Sequence, residues 1–111
     1  MNIVVLRGTL AKEPEVRELA TGSVVVSFEV STPTPTGIAN VPVAWLDPPG
    51  NVVLTPGDEV VLAGQVRRRF FRTAGSTQSR TEVIAARVVL ASNRRGASAL
   101  LRQAAASLDG P

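Results

Sequence analysis

The feature that most constrains this chain is a strict two-residue alternation in its first third. Val24, Val26, Phe28 and Val30 fall on one face of an extended backbone, and Ser23, Val25, Ser27 and Glu29 fall on the other. That period belongs to a strand with one buried face. Other β-rich runs cover 2–10, 41–46, 59–71 and 80–90, and 15–19 can return as a short strand. Gly8 interrupts the first run and marks a bulge or a close backbone approach. Turn signals separate the runs: Lys12-Glu13-Pro14, Thr21-Gly22, Asp47-Pro48-Pro49-Gly50-Asn51, Pro56-Gly57-Asp58 and a hairpin tip at Thr73-Ala74-Gly75-Ser76-Thr77. Thr32-Pro33-Thr34-Pro35-Thr36-Gly37 reads as a mobile loop, because its prolines lack donors for a central strand. Five strands without a long helix predict an all-β small barrel or sandwich.

The tail differs. Asn93-Arg94-Arg95-Gly96 reads as a linker, and residues 97–108 as a short Ala-rich helix with Ser98 as its cap and Gly110 as its stop. Ala97, Leu100, Leu101, Ala104 and Leu108 share one side of it. A helix this short is marginal alone, so it packs on the body, packs on a sister subunit or frays. The expected organisation is one domain over residues 1–92, followed by a linker and helix or frayed tail over 93–111.

With 111 residues and 44% hydrophobic content, the chain can bury one core. No apolar run reaches membrane-spanning length, and no leader pattern opens the sequence, so no membrane partner and a cytoplasmic location are expected. The absence of His and Cys removes His-based triads, thiol nucleophiles and zinc clusters. Glu13, Glu15 and Glu18 could hold a carboxylate pair, but a solvated turn is the better explanation of surface acids. We expect no enzyme, no cofactor and no metal.

Charge is distributed unevenly. Residues 1–60 sum to −4 and residues 61–111 to +7, and eleven of the twelve basic residues are Arg. This concentration favours a polyanionic partner. Its densest part is Arg67-Arg68-Arg69-Phe70-Phe71-Arg72. On a strand, Arg67, Arg69 and Phe71 share a face, opposite Val66, Arg68 and Phe70. Cations that meet phosphates beside a ring that stacks on a base suit single-stranded nucleic acid. The alternative is a solvated edge whose charges prevent aggregation.

Several blocks together resemble a known family. Asn2-Ile3-Val4-Val5-Leu6-Arg7-Gly8-Thr9-Leu10, Lys12-Glu13-Pro14-Glu15-Val16-Arg17, Thr21-Gly22 and 26–32 look like the start of bacterial single-stranded DNA-binding proteins. Leu54-Thr55-Pro56-Gly57-Asp58-Glu59-Val60, Gly64-Gln65-Val66-Arg67 and Arg80-Thr81-Glu82-Val83 match later blocks in order, so the resemblance covers roughly residues 1–91. It implies an OB-fold, a five-stranded Greek-key barrel, in a homo-oligomer that is usually a tetramer, with a dimer as the other option. It implies sequence-independent binding of single-stranded DNA in replication, repair or recombination.

On this resemblance Phe71 takes the place of a stacking Trp. Arg67 and Arg69 match basic positions on the same strand face, and Arg17 matches the arginine of the first turn. Arg72 and Arg80 would add phosphate contacts, while the 32–40 loop and the 72–79 hairpin would wrap the strand. Trp45 has two registers: in one it stacks on bases, and in the other it enters the core with Val43 while Leu46 takes the DNA face. Phe28 reads as core, and Phe70 as a barrel or interface residue. The segment where the family has a helix between its third and fourth strands shortens here to Asp47–Asn51, and its acidic C-terminal tip for recruiting repair proteins is not matched, as in a short paralogue. Two other readings stand beside DNA binding: a primosomal-type OB adapter acting through protein contacts, and a structural partner subunit joined through the tail helix. Stacking and phosphate contacts do not distinguish RNA from DNA.

Overall fold

The computed structural model describes residues 1–50 and 52–109. In chain order the elements are β1 (Val4–Leu10), β2 (Glu15–Glu18), β3 (Val24–Thr34), β4 (Gly37–Leu46), β5 (Glu59–Thr73), β6 (Ser76–Leu90) and α1 (Arg94–Ala106). Strand β1 pairs with β5, β5 with β6, β6 with β4 and β4 with β3; β3 returns to β1. Five strands thus form a closed ring, and β2 lies beside the first part of β3. All pairings are antiparallel except β4 with β6. This is the OB-fold barrel with a short C-terminal helix.

The alternation read in the sequence fills the barrel. Phe28 and Val30 from β3, Val43 and Trp45 from β4, Val60 and Leu62 from β5, and Val83, Ala85 and Val88 from β6 form one buried cluster with Leu10 and Leu54. Fully burying a Val, Leu or Phe side chain stabilises by ~1.5–3 kcal/mol, so this cluster is the main source of fold stability. Of the two registers open to Trp45, the structure shows the buried one. Trp45 is 4% exposed and pairs with Val26 and Ala85, in phase with the Phe28–Val43 pair two residues away.

Ring closure is narrow. Strand β1 meets β3 through only Thr9–Ser31 and Leu10–Val30, while its preceding residues pair with β5. Gly8 sits at this crossing, where an added Cβ would stand 2.3 Å from the Ser31 carbonyl oxygen and 2.6 Å from Val30 Cγ1. The close approach read from Gly8 is therefore present.

Two segments differ from their sequence reading. Residues 32–37 are not a loop: Thr32–Ala39, Pro33–Ile38 and Thr34–Gly37 continue the β3–β4 ladder, and only Pro35 and Thr36 form the turn. The prolines are tolerated because the pairing of β3 with β1 stops at Ser31, which leaves Pro33 on a strand with one open side. The stretch 93–96 is not a linker either. Asn93 caps α1, its side-chain oxygen accepting from the Gly96 amide at 3.0 Å, so the helix starts at Arg94 and Ser98 lies within it. The helix packs on β5 and β6, with Leu100 1% exposed. Gly110, read as its stop, and Asn51 of the 47–51 loop lie outside the described residues. No helix forms between β4 and β5 among the described residues, and none there is long and apolar enough to cross a membrane.

Gly8→Ala is expected to destabilise the fold by about 1–3 kcal/mol, since the new methyl must displace backbone at the seam. Gly50→Ala, where an added Cβ meets nothing within 4 Å, serves as the near-neutral control. Trp45→Ala is expected to cost about 3–5 kcal/mol. Urea denaturation of the three variants measures all of these.

Candidate nucleic-acid interface

The β5–β6 pair runs without interruption from Val60–Leu90 to Thr73–Ser76, apart from one irregularity at Ala63/Gly64. Its outer part leaves the barrel. Strand β1 pairs with β5 no further than Gly64, and β4 meets β6 only over Val83–Ala85. Asn2 finishes the supported part: its side-chain amide donates to the Val66 carbonyl at 2.8 Å and accepts from the Val66 amide at 2.9 Å. Residues 67–82 are therefore a two-stranded arm, about 23 Å long at ~3.3 Å per residue. A two-residue turn closes it, with Ala74 at φ 50° and Gly75 at φ 82°. Positive φ at both positions fits the twist of a tight hairpin.

The arm presents two faces. Arg67, Arg69 and Phe71 are on one, opposite Glu82, Arg80 and Gln78 of β6. This face continues onto the outside of the barrel, where two adjoining depressions of about 310 and 290 Å³ share Arg17, Ser27, Arg69 and Glu82. One of them has an apolar floor of Val25, Ala44, Leu46 and Ile84, bordered by Arg17, Arg67 and Arg69. Such a floor with cations at its margin can hold flat apolar groups joined by a polyanionic backbone. The other depression is charge-balanced: Lys12, Arg17, Arg69 and Arg80 line it together with Glu13, Glu15, Glu29 and Glu82. Lys12 lies 3.2 Å from Glu29.

Glu82 is the group that sequence reasoning missed. It is 7% exposed, accepts from Arg67 Nη2 at 3.0 Å and lies 3.5 Å from Arg69 Nε. One carboxylate thus holds both groove-facing arginines of β5. A signal existed in the pairing parity, which sets Glu82 opposite Arg67, but the register is invisible without the turn at Ala74-Gly75. Arg69 also lies over the Phe71 ring, its Cζ 5.6 Å from the centroid. Arg7, outside this groove, donates to Glu59 at 3.0 Å. That hydrogen bond and the Glu59 charge raise its pKa above the ordinary arginine value.

Of the residues singled out from sequence, Arg17, Arg67, Arg69 and Arg80 converge on the groove. Phe71, 40% exposed, stands further out on the same face of the arm, and Arg72 projects from the other face. Trp45 does not join them, because its side chain is inside the barrel; the outward residue of that segment is Leu46, which lines the groove. Phe70 is not a barrel residue, since the arm carries it beyond the core into solvent. No group of three or more metal-ligating side chains occurs among the described residues.

No family model matches the sequence, and no curated protein matches it. Among solved structures, the chain is similar to a Plasmodium falciparum SSB in complex with ssDNA. The TM-score is 0.68 and the identity 19%, over 81% of this chain and 94% of that one. The likeness is one of fold: this chain shares the OB barrel of that protein.

Proposed function

We propose that the chain binds single-stranded DNA without regard to base sequence. The observation that carries this reading is the groove on the outside of the barrel. Its apolar floor of Val25, Ala44, Leu46 and Ile84 is bordered by Arg17, Arg67 and Arg69 and leads to Phe71 on the arm. Bases pack on the floor and stack on Phe71, while Arg17, Arg67, Arg69 and Arg80 meet phosphates along the groove and Arg72 meets one from the other face of the arm. The likeness in fold to an SSB solved with ssDNA supports the same reading. Protection of exposed strands in replication, repair or recombination is the role such a binder would serve, in the cytoplasm and as a homo-oligomer, either tetramer or dimer. A non-enzymatic role accords with it.

A second reading rests on the charge-balanced end of the groove. Glu13, Glu15 and Glu29 repel phosphate there, and burial of Trp45 leaves one stacking ring fewer. An OB adapter that uses this surface for protein contacts would tolerate both features.

Anisotropy titration of labelled oligo-dT, with duplex DNA as competitor, separates the two. Direct binding with little duplex competition supports the first reading; no binding, or equal affinity for duplex, favours the adapter. The log affinity is expected to fall with log salt at a slope of about −3.5, from ~0.7 for each of the five phosphates these arginines neutralise on a single strand. A flat salt response would overturn the arginine contribution. Phe71→Ala is expected to lose about 1–3 kcal/mol.

Glu82 gives a sharper test. In this reading its carboxylate competes with DNA phosphate for Arg67 and Arg69. Glu82→Gln keeps an acceptor of the same shape but removes the charge. It should bind oligo-dT more tightly at low salt, with a slope steeper by about 0.7. Weaker binding at an unchanged slope would show that Glu82 positions the two arginines instead.

A further inference from the structure

The groove uses one face of the arm. The opposite face carries Arg68, Phe70 and Arg72, with the hydroxyl residues Thr81, Ser79 and Thr77 paired across from them. Phe70 is 65% exposed, against 40% for Phe71. Arg68 lies over its ring, with Cζ 5.5 Å from the centroid, matching the Arg69–Phe71 pair on the first face. The arm therefore repeats one arrangement, a guanidinium over a phenyl ring, on both sides.

The two faces differ in charge balance. On the groove face, Glu82 holds Arg67 and Arg69. On the other face no carboxylate lies within ion-pair distance of Arg68 or Arg72 among the described residues, and Arg68 donates only to the Ser79 hydroxyl, at 3.2 Å. Residues 66–82 sum to +4, more than the +3 of the whole chain. A large ring kept in solvent between two unneutralised cations gains little for folding beyond its contact with Arg68. Two copies of such an arm repel each other, which disfavours self-association through this face. A polyanion with stackable groups satisfies both the ring and the cations.

We propose that Arg68, Phe70 and Arg72 form a second nucleic-acid contact, so that a strand leaving the groove past Phe71 turns round the arm and stacks on Phe70. This rests on the reading of the chain as a single-strand binder. Strand length then determines which contacts form: a short oligonucleotide fills the groove and meets Phe71, and only a longer one also reaches Phe70.

The test is titration of the full chain with oligo-dT of about six and about thirty nucleotides, lengths chosen to fall within and well beyond one OB-fold's site size. Phe71→Ala should weaken both. Phe70→Ala should leave the short one unchanged and weaken the long one by roughly 5- to 150-fold, the range for loss of one ring–base stack. It should also reduce the nucleotides occluded per chain. Folding is not at issue, because Phe70 is outside the core; matching thermal melts verify this. Wild-type affinity of Phe70→Ala for the long oligonucleotide would overturn the second contact while the groove reading stands. A change in sedimentation without a change in binding would overturn it in favour of an interface between copies. Failure of the wild-type chain to bind either length would remove the single-strand reading itself.

Discussion

A closed barrel depends on its weakest seam, and here that seam is two residue pairs long. Every other join in the ring is longer, from the three parallel pairs of β4 and β6 to the long β5–β6 ladder. Strand β1 must leave β5 and reach β3 within a few residues, which forces its backbone against Ser31. A residue without Cβ at position 8 is the condition for that contact. If the seam opens, β1 becomes an edge and the layer under it, with Leu10 and Val30, meets water. The β5–β6 arm depends on the seam indirectly. Its root is held by β1 on one side and β4 on the other, and the Asn2 bracket on Val66 extends that hold by two residues.

Rooting changes what an arm can do. A free two-stranded hairpin is marginal in water, and ordering it on binding would cost conformational entropy. Here the ladder is continuous with the barrel and closed by a two-residue turn, so the rings and guanidinia are held in position before any ligand arrives. The Arg68–Phe70 and Arg69–Phe71 contacts restrict four side chains that would otherwise be mobile. Binding to such a surface loses less affinity to ordering than binding to a flexible loop.

Much of the barrel was legible because a single buried face imposes period two. The alternation over 23–30 identified the β3 core residues, and Gly8 identified the crossing. What was not legible depended on neighbours. Proline at 33 argues against a central strand, and only the open side of β3 makes it acceptable. Trp45 had two registers that differ by one residue, and its pairing with Val26 and Ala85 decides between them. Asn93 reads as linker chemistry until its side chain is seen on the Gly96 amide. In the site, the arginine face of β5 followed from parity alone. The buried carboxylate between those arginines did not, because it arrives from another strand.

That carboxylate bears on how the charge of the chain should be read. A count of arginines suggests that the groove is the most cationic surface, but acidic residues from both halves of the chain fold against it. Glu29 and Glu82 take up Lys12, Arg67 and Arg69 in ion pairs of 3.0–3.5 Å. The groove is then moderately charged and has an apolar floor, while the far side of the arm retains unneutralised arginines. Long-range attraction of a polyanion is strongest where charge is uncompensated, and close packing of bases is best where a floor exists. In this molecule the two properties lie on different surfaces, joined by a ribbon one strand-pair wide. In the proposed reading, a strand drawn first to the arm would have only to follow the Arg67–Phe71 face inward to reach the floor.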